Sequence, residues 1–288
     1  MRTVAYLGPE QTYTHLAAKK KFGKTAKYFH APTIEDVFRA VEDQQADCGV
    51  VPIENSLEGA VTYTLDRFIR SNNSPVRIHG EFEMPVKHYF ISYRGIRMGN
   101  IRVVYSHPQA LAQCNRWLHH HLPRAERWET NSTAEAGEYL CDKSGGGKWK
   151  LFERAAIGRR TLASKGANLI ASPIPQEREN KTRFLLLGLG EPKPGRTNKT
   201  SILFALKDKP GALHDALMPF KRNRINLTKI ESRPSKRKAW EYVFFLDIEG
   251  HASEPSVQRS LKALEKTTSM VRILGSYPMA SGSRKSPE

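Results

Sequence analysis

The sequence is poor in cysteine and has no long apolar run. Its three cysteines, Cys48, Cys114 and Cys141, share no CxxC spacing, so neither a disulfide framework nor a zinc site is indicated. No stretch approaches the ~18 consecutive apolar residues that a membrane helix needs, and the N-terminal MRTVAYLGPE reaches turn residues before a signal peptide's apolar region could form. We therefore expect a cytoplasmic globular protein whose thiols are reduced and mostly buried.

Length and positive charge are both high. The chain has 288 residues, about twice a typical domain, and its hydrophobic content of 39% supports cores for two domains. The formal net charge is +17, and the residues after position 190 are the more basic part. Such a surface can attract nucleic acids or anionic metabolites. The basic runs KKK and SKRK are typical of solvated faces and turns, however, so charge alone does not indicate a nucleic-acid-binding protein.

A basic segment rich in proline and glycine, EPKPGRTNK at 191–199, divides the chain and is interpreted as a linker. Residues 200–278 then show the order strand, helix, strand, strand, helix, strand. The clearest strand is at 240–249, where side chains alternate with a period of two. The order βαββαβ predicts a ferredoxin-like domain, and we expect residues 279–288 to form a flexible tail.

The chain before the linker alternates strand and helix patterns, which predicts an α/β fold. Thr33 is the expected N-cap of the second helix. Two later helices are expected to begin at capping boxes, formed by Ser106 with Gln109 and by Ser132 with Glu135. A repeated order of strand, loop and helix start gathers anion-binding amide groups at one sheet edge.

Four polar motifs lie where this pattern predicts strand ends or helix starts. They are GPEQTYTH at 8–15, VPIENSLEG at 51–59, SHPQ at 106–109 and NKTRF at 180–184. Ordinary turns and caps explain some of them singly, and a capping box alone accounts for the serine and glutamine of SHPQ. NKTRF is too polar for a strand core and too short for a helix of its own, which favours a functional site.

Two other polar runs have ordinary explanations. HHH at 119–121 lies late in an amphipathic helix and has no acidic or thiol partner at ligand spacing, so a solvated face is favoured over a metal site. KSGGGK at 143–148 does not fit GxxxxGK[ST] after a strand and is interpreted as a flexible surface loop.

In this order the four motifs, with STAEA at 132–136, resemble those of the prephenate dehydratase family. GALH at 211–214 and ESRP at 231–234 resemble the family's phenylalanine-sensing ACT domain, and the resemblance runs from Val4 to about Pro278. The sequence departs from the family pattern at a few positions: Gln11 replaces a usual Gly, IPQE at 174–177 replaces Ile-Gln-Asp, Gly137 replaces an Ala, and the GGG loop looks like an insertion.

The resemblance implies a fold and an organisation. The catalytic domain at 1–190 should be an α/β unit of two lobes, like a periplasmic binding protein, with the site in the cleft. The ACT domain should occupy 200–278. Since Thr3 already starts the first strand, a fused chorismate mutase domain is not expected upstream, and the enzyme should be monofunctional.

The resemblance also implies a reaction, the decarboxylating dehydration of prephenate to phenylpyruvate. Because this loss creates an aromatic ring, no redox cofactor or metal is expected. The protein must supply positive charge for two carboxylates and a hydrogen-bond donor for the departing hydroxyl. By resemblance Thr182 is the essential donor, and Arg183 or Lys181 supplies the charge. The further substrate contacts implied are Thr12, Asn55, Ser56, Ser106 and Gln109.

Feedback inhibition by phenylalanine is expected through the ACT domain. Pro210 and Gly211 precede a helix whose first turn has free amide groups for an amino acid's carboxylate, although a simple helix start explains them equally well locally. By resemblance the effector pocket lies at an interface of a homo-oligomer, a dimer or a tetramer. Its implied residues are Gly211, Ala212, Leu213, His214, Glu231, Ser232, Arg233 and Pro234.

Three alternatives remain open at this point. Arogenate dehydratase performs the same elimination on a substrate with an amine in place of a ketone. A βαββαβ domain is also the order of an RNA recognition motif, and KAWEYVFF at 238–245 aligns roughly with its RNP1 pattern, although Glu241 would repel phosphate. The third alternative is a catalytically inactive amino-acid sensor. The intact NKTRF motif argues against it.

Overall fold

The computed structural model describes residues 1–71, 74–142, 148–165, 169–174, 180–236 and 241–279. The strands in these ranges are β1 (Thr3–Leu7), β2 (Lys27–Ala31), β3 (Cys48–Asn55), β4 (Gly59–Ala60), β5 (Val76–Pro85), β6 (Tyr89–Tyr93), β7 (Val103–Ser106), β8 (Glu126–Glu129), β9 (Arg154–Gly158), β10 (Leu169–Pro173), β11 (Lys181–Leu189), β12 (Asn198–Leu206), β13 (Leu227–Pro234), β14 (Tyr242–Glu249) and β15 (Thr268–Pro278). The helices are α1 (Tyr13–Phe22), α2 (Ile34–Glu42), α3 (Thr62–Arg70), α4 (Pro108–Gln113), α5 (Asn115–His121), α6 (Thr133–Cys141), α7 (Ala212–Arg222) and α8 (Pro255–Thr267).

The chain forms two compact units. The first contains Met1–Leu7, Ala17–Met84 and the described residues from Arg183 onward. The second contains Gly8–Leu16 and Pro85–Thr182. Strand β11 therefore contributes to both, because its second residue, Thr182, ends one unit and Arg183 begins the other.

The first unit is built on a six-stranded sheet of order β2-β1-β3-β11-β5, with β4 paired to β3. β1 is parallel to both β2 and β3. Thr33 caps α2 through a capping box with Asp36, as predicted for the cap. Gly49 allows α2 to pack closely on β3, since a Cβ there would lie 2.9 Å from a methyl group of Val37.

The second unit is built on a five-stranded sheet of order β10-β6-β9-β7-β8. β7 runs parallel to β8 and to β9, so the carboxyl ends of these three strands share one edge. The α/β class predicted for the N-terminal part is thus confirmed in both sheets.

The C-terminal elements follow the predicted βαββαβ order and form a four-stranded antiparallel sheet of order β13-β14-β12-β15. Helices α7 and α8 cover one face, burying apolar side chains such as Phe204, Phe220 and Leu264. The first strand of this sheet begins at Asn198, so it includes the last two residues of the predicted linker.

The other face of this C-terminal sheet packs on the six-stranded sheet, within the same unit. Leu203, Phe245 and Tyr277 belong to the same buried core as Ile78 and Leu185. Both faces of the four-stranded sheet are therefore covered. The RNA recognition motif needs an open sheet face for its bases, so that alternative is wrong; part of its RNP1-like stretch, 238–240, lies outside the described residues.

Several smaller expectations can be compared with the structure. All three cysteines are free, and burial raises the pKa of Cys114 to about 12. The histidines at 119–121 are exposed at the end of α5, as expected. Most of the glycine loop at 143–148 and of the tail at 279–288 lies outside the described residues. No helix in the described ranges is long and apolar enough to cross a membrane.

Candidate active site

The shared edge of β7, β8 and β9 holds the SHPQ motif. Ser106 is the last residue of β7 and is fully buried, and its hydroxyl donates a hydrogen bond of 2.7 Å to the carbonyl of Ile157 in β9. The capping box expected at Ser106 is wrong. Pro108 starts α4 one residue later than expected, so the N-cap is His107, whose ring nitrogen accepts from the Gln109 amide. The Gln109 side chain is exposed.

The GPEQTYTH motif forms the start of α1. Thr12 acts as a helix cap, because its hydroxyl oxygen accepts a hydrogen bond of 3.3 Å from the amide of His15. The His15 ring accepts in turn from the amide of Gln11 at 2.8 Å. Gln11 has a φ of 64°, a region that favours glycine. This conformation explains why glycine is usual at position 11 in the family pattern, where this chain has glutamine.

Tyr13, at the first position of α1, lies against a buried cation. The guanidinium carbon of Arg159 is 5.3 Å from the centre of the Tyr13 ring, and the Tyr13 hydroxyl donates a hydrogen bond of 2.8 Å to the carbonyl of Lys87. Burial raises the pKa of Tyr13 above its ordinary value, although the charge of Arg159 opposes the shift. Sequence analysis did not identify Arg159 as a site residue.

The NKTRF stretch is fixed by a buried hydrogen-bond network. The Asn180 side chain donates to the carbonyl oxygen of the Gln113 side chain at 2.7 Å, and the ring of His88 donates to the same oxygen at 2.7 Å. Gln113 ends α4, the helix that begins in the SHPQ motif. Two of the motifs found in the sequence are therefore joined directly, through residues that the sequence analysis did not single out.

Thr182 and Arg183 point to opposite faces of β11, because neighbouring residues of a strand alternate. Thr182 is 9% exposed, and Lys181 is exposed. Arg183 shares its face with Leu185 and Leu187, which lie in the core beneath the C-terminal sheet. The strand thus separates the predicted donor from the predicted cation.

Arg183 lies among three carboxylates of the first unit. One of its terminal nitrogens is 3.4 Å from Glu54 and 4.0 Å from Glu81, and the other is 4.0 Å from Glu83. Burial by itself would lower the pKa of Arg183, but these carboxylates, with Asp247, raise it above its ordinary value. The Arg183 charge is therefore compensated within the protein.

The same cluster of charges reaches the C-terminal sheet. Lys199 of β12 lies 2.5 Å from Glu81 of β5, and Lys229 of β13 lies 3.2 Å from Glu54. Glu81, Lys229 and Arg183 line a small cavity that has room for about one water molecule and is too small for a substrate. We define Glu54, Glu81, Lys199, Lys229 and Arg183 as the interface charge cluster.

Asn55 and Ser56 lie at the end of β3 and just after it. The side-chain oxygen of Asn55 accepts hydrogen bonds from the amides of Leu57 and Glu58, at 3.0 and 3.3 Å, so it fixes the turn that follows the strand. Ser56 is exposed. Among the described residues, no group of three histidine, cysteine or acidic side chains is placed to hold a metal ion.

The residues expected to bind an effector lie at two places in the C-terminal domain. Gly211 caps α7 with a φ of 78°, and a Cβ there would meet no atom within 4 Å. Of the GALH residues that follow, Ala212 is buried and His214 is exposed. In the ESRP stretch on β13, Ser232 is exposed, whereas Arg233 turns to the other face and pairs with Asp66 of α3 at 3.3 Å.

Comparisons with known proteins agree with this arrangement. The family profile described as "Prephenate dehydratase" matches residues 4–192, and the profile "ACT domain" matches residues 200–266. The chain is 46% identical over 277 residues to the bifunctional chorismate mutase/prephenate dehydratase of Aquifex aeolicus, covering 96% of this chain and 74% of the relative. It is 35% identical to the prephenate dehydratase of Amycolatopsis methanolica, covering 98% of this chain and 90% of the relative.

A solved structure shows the same fold. The crystal structure of prephenate dehydratase in complex with L-Phe from Arthrobacter aurescens matches with a TM-score of 0.83 and 31% identity, covering 96% of this chain and 89% of that one. The ordered motifs, the two α/β sheets, the βαββαβ domain and these matches lead to one conclusion: the chain belongs to the prephenate dehydratase family and carries a C-terminal ACT domain.

Proposed function

We propose that this chain converts prephenate to phenylpyruvate with Thr182 as the hydrogen-bond donor to the departing hydroxyl. In the reaction, the bond from the ring to its carboxylate breaks and CO2 leaves. The electron pair of that bond completes the aromatic ring as the carbon–oxygen bond on the far side breaks. The hydroxide that leaves takes a proton and becomes water. The enzyme is thus a carbon–oxygen lyase of phenylalanine biosynthesis, as its family membership shows.

One observation carries the role of Thr182. Asn180, two residues before it, is 3% exposed and is held by Gln113 of α4 at 2.7 Å. The start of β11 is thereby anchored to the helix of the SHPQ motif. A hydroxyl carried by a strand that is anchored in this way can stabilise a developing charge on oxygen with little reorganisation in the transition state.

The other site residues keep their predicted roles as parts of this proposal. Thr12 accepts a hydrogen bond from the first turn of α1, and Asn55 accepts one from the turn after β3, which supports both side chains being held in place as substrate contacts. Ser106, whose hydroxyl donates to the Ile157 carbonyl, stays a predicted contact at the edge of the second sheet. The remaining predicted contacts are Ser56 and Gln109. Lys181 is the source of positive charge in this proposal, because the charge of the alternative, Arg183, is already compensated by nearby carboxylates.

The test compares Thr182→Val with Thr182→Ser. Valine keeps the volume and shape of threonine but removes the hydroxyl, whereas serine keeps the hydroxyl. We expect Thr182→Val to lower kcat for phenylpyruvate formation from prephenate by about 10²–10³-fold, and Thr182→Ser to retain most of it. A Thr182→Val enzyme that keeps kcat within tenfold of the original would exclude this role. Arogenate, assayed in parallel, measures the preference for ketone over amine.

We further propose that phenylalanine binds the ACT domain and inhibits the enzyme. The similar structure from Arthrobacter aurescens is a complex with L-Phe. In this chain, Gly211 leaves open space at the start of α7, whose first amides suit a carboxylate. Ser232 lies exposed on β13, which is an edge strand of its sheet, and edge strands can pair with another chain. We therefore propose a homo-oligomer, a dimer or a tetramer, located in the cytoplasm.

This regulation predicts that phenylalanine raises Tm, lowers activity and stabilises the oligomer measured by light scattering. Gly211→Val should weaken all three effects, because valine is strained at a φ of 78°. Gly99→Ala is the matched control, since Gly99 has an ordinary φ and open space around it. If saturating phenylalanine changes neither Tm nor activity, regulation through this domain is excluded, and the dehydratase function is unaffected.

A further inference from the structure

Arg159 is a buried cation without a partner in the described part of the chain. Its side chain is only 5% exposed. No described residue accepts a hydrogen bond from Nε, Nη1 or Nη2. The face of the Tyr13 ring, 5.3 Å away, contributes a cation–π contact but no acceptor. Buried charges in proteins are usually paired, so this guanidinium is suited to an anion from outside the chain.

The electrostatics of the group agree with this description. Burial lowers the pKa of Arg159 to about 10, and the charge of Tyr13 offsets the shift only in part. A carboxylate brought against the guanidinium would restore the favourable environment that burial removed. Arg–carboxylate pairs are often joined by two parallel hydrogen bonds, which fix orientation as well as charge.

The position of Arg159 connects it with the candidate active site. It follows directly after β9, whose Ile157 accepts the hydrogen bond of Ser106. It also lies on Tyr13, the residue after Thr12. Ligands of α/β sheets bind outside the carboxyl ends of parallel strands, and Arg159 is placed at such an end.

We propose that Arg159 binds the side-chain carboxylate of the substrate, the carboxylate that remains in the product. This inference rests on the proposed function. Prephenate has two carboxylates, and the ring carboxylate leaves as CO2. A tight pair with the ring carboxylate would stabilise the ground state and oppose its loss. A pair with the side-chain carboxylate holds substrate and transition state alike, so it lowers KM without opposing the reaction.

The test uses Arg159→Met and Arg159→Lys in the full chain, with Arg160→Met as the matched control. Arg160 is the next residue and is exposed, so its loss changes net charge equally without emptying the buried position. Two quantities are measured: kcat and KM for prephenate, and the Kd of phenylpyruvate by titration calorimetry. Phenylpyruvate keeps only the side-chain carboxylate, so its binding reports that group without any turnover.

We expect Arg159→Met to raise both KM and the phenylpyruvate Kd by about 10–100-fold, the range for charge-assisted hydrogen bonds, with kcat changed less than about threefold. Arg159→Lys should recover only part of this affinity, because an ammonium lacks the planar fork. Arg160→Met should leave KM and Kd within about twofold.

Other outcomes overturn the assignment. A raised KM with an unchanged phenylpyruvate Kd would place Arg159 on the ring carboxylate instead, and unchanged KM and Kd would exclude any substrate contact. Circular dichroism checks that Arg159→Met folds, and Arg159→Gln is the substitute if it does not. If the original enzyme does not form phenylpyruvate from prephenate, the proposed function is overturned. The role of Arg159 can still be judged in that case, because the Kd of phenylpyruvate is measured without turnover.

Discussion

Arg183, which is partly buried, and Arg159, which is buried, differ in what surrounds them. Arg183 lies within 4.0 Å of three carboxylates, and its pKa is raised. Arg159 has an aromatic ring beside it and no acceptor among the described residues, and burial lowers its pKa to about 10. Within the described part of the chain, the charge of Arg183 is compensated by carboxylates and the charge of Arg159 is not.

The difference indicates what each charge is for. A buried ion pair holds its own surroundings in place, and removing one member leaves the other uncompensated. A buried cation without a carboxylate beside it has lost hydration that no partner replaces, and groups perturbed in this way cluster at functional sites. The interface charge cluster should therefore respond to substitution through stability, and Arg159 through affinity.

The largest expected effect on stability is at the Lys199–Glu81 pair of the interface charge cluster. Lys199→Met leaves Glu81, itself 6% exposed, without its closest partner at 2.5 Å. We expect the free energy of unfolding to fall by about 3 kcal/mol, measured by urea denaturation. Adding Glu81→Gln to Lys199→Met removes the uncompensated carboxylate and should recover most of the loss. If the loss in the double variant equals the sum of the losses in Lys199→Met and in Glu81→Gln alone, the pair is not coupled and the comparison fails.

A smaller effect on stability is expected at Arg159. Arg159→Met removes a charge that burial disfavours and fills much of the same volume, so the free energy of unfolding should change by no more than about 1 kcal/mol. The same urea titration measures it. A loss as large as that of Lys199→Met would mean that Arg159 is a structural cation, and would remove the contrast on which its binding role depends.

The smallest effect concerns Asp247, near Lys199 in the C-terminal sheet. Burial raises its pKa above 3.8 even though Lys199 opposes the shift, and Ser201 donates a hydrogen bond to it at 2.6 Å. The folded chain thus binds this proton more tightly than the unfolded chain. The stability that results is fully present below pH 3.8 and is lost as pH rises through the folded-state pKa.

Asp247→Asn cannot ionise, so its stability relative to the original chain should be higher at pH 7.5 than at pH 4.5, by about 1 kcal/mol or less. Urea denaturation at the two pH values measures this difference. Asp208→Asn, at an exposed position, is the control and should show no such change. If the relative stability of Asp247→Asn is instead higher at pH 4.5 than at pH 7.5, the nearby cations lower the pKa of Asp247 more than burial raises it.

Local sequence signals predicted much of the fold. The N-cap at Thr33, the alternation in β14 and the βαββαβ order are each determined by residues close together in the chain, and all three are confirmed. Strands β5, β6, β9 and β10 were not identified. β9, RAAIG, is buried at every position, so it has no alternation of polar and apolar residues to reveal it.

The site was predicted less completely, because its contacts join distant residues. NKTRF and SHPQ could be found by resemblance, but the bond from Asn180 to Gln113 spans 67 positions. The cap at Ser106 failed because a proline at position 108 moved the helix start. Arg159 occurs in the run GRRT, which looks like a solvated turn, and only tertiary packing shows that it is buried. The substrate roles of the named residues stay predictions.

The close packing of the C-terminal sheet on the six-stranded sheet has a consequence for proteolysis. A Cβ at Gly275 would lie 2.3 Å from the carbonyl of Ile78, so β15 and β5 meet backbone to backbone. Arg272 also donates hydrogen bonds to the carbonyls of Phe68 and Ser71. A protease that cuts the exposed segment between β11 and β12 would break the chain without releasing either fragment. The two pieces should co-elute in gel filtration and separate only in denaturant.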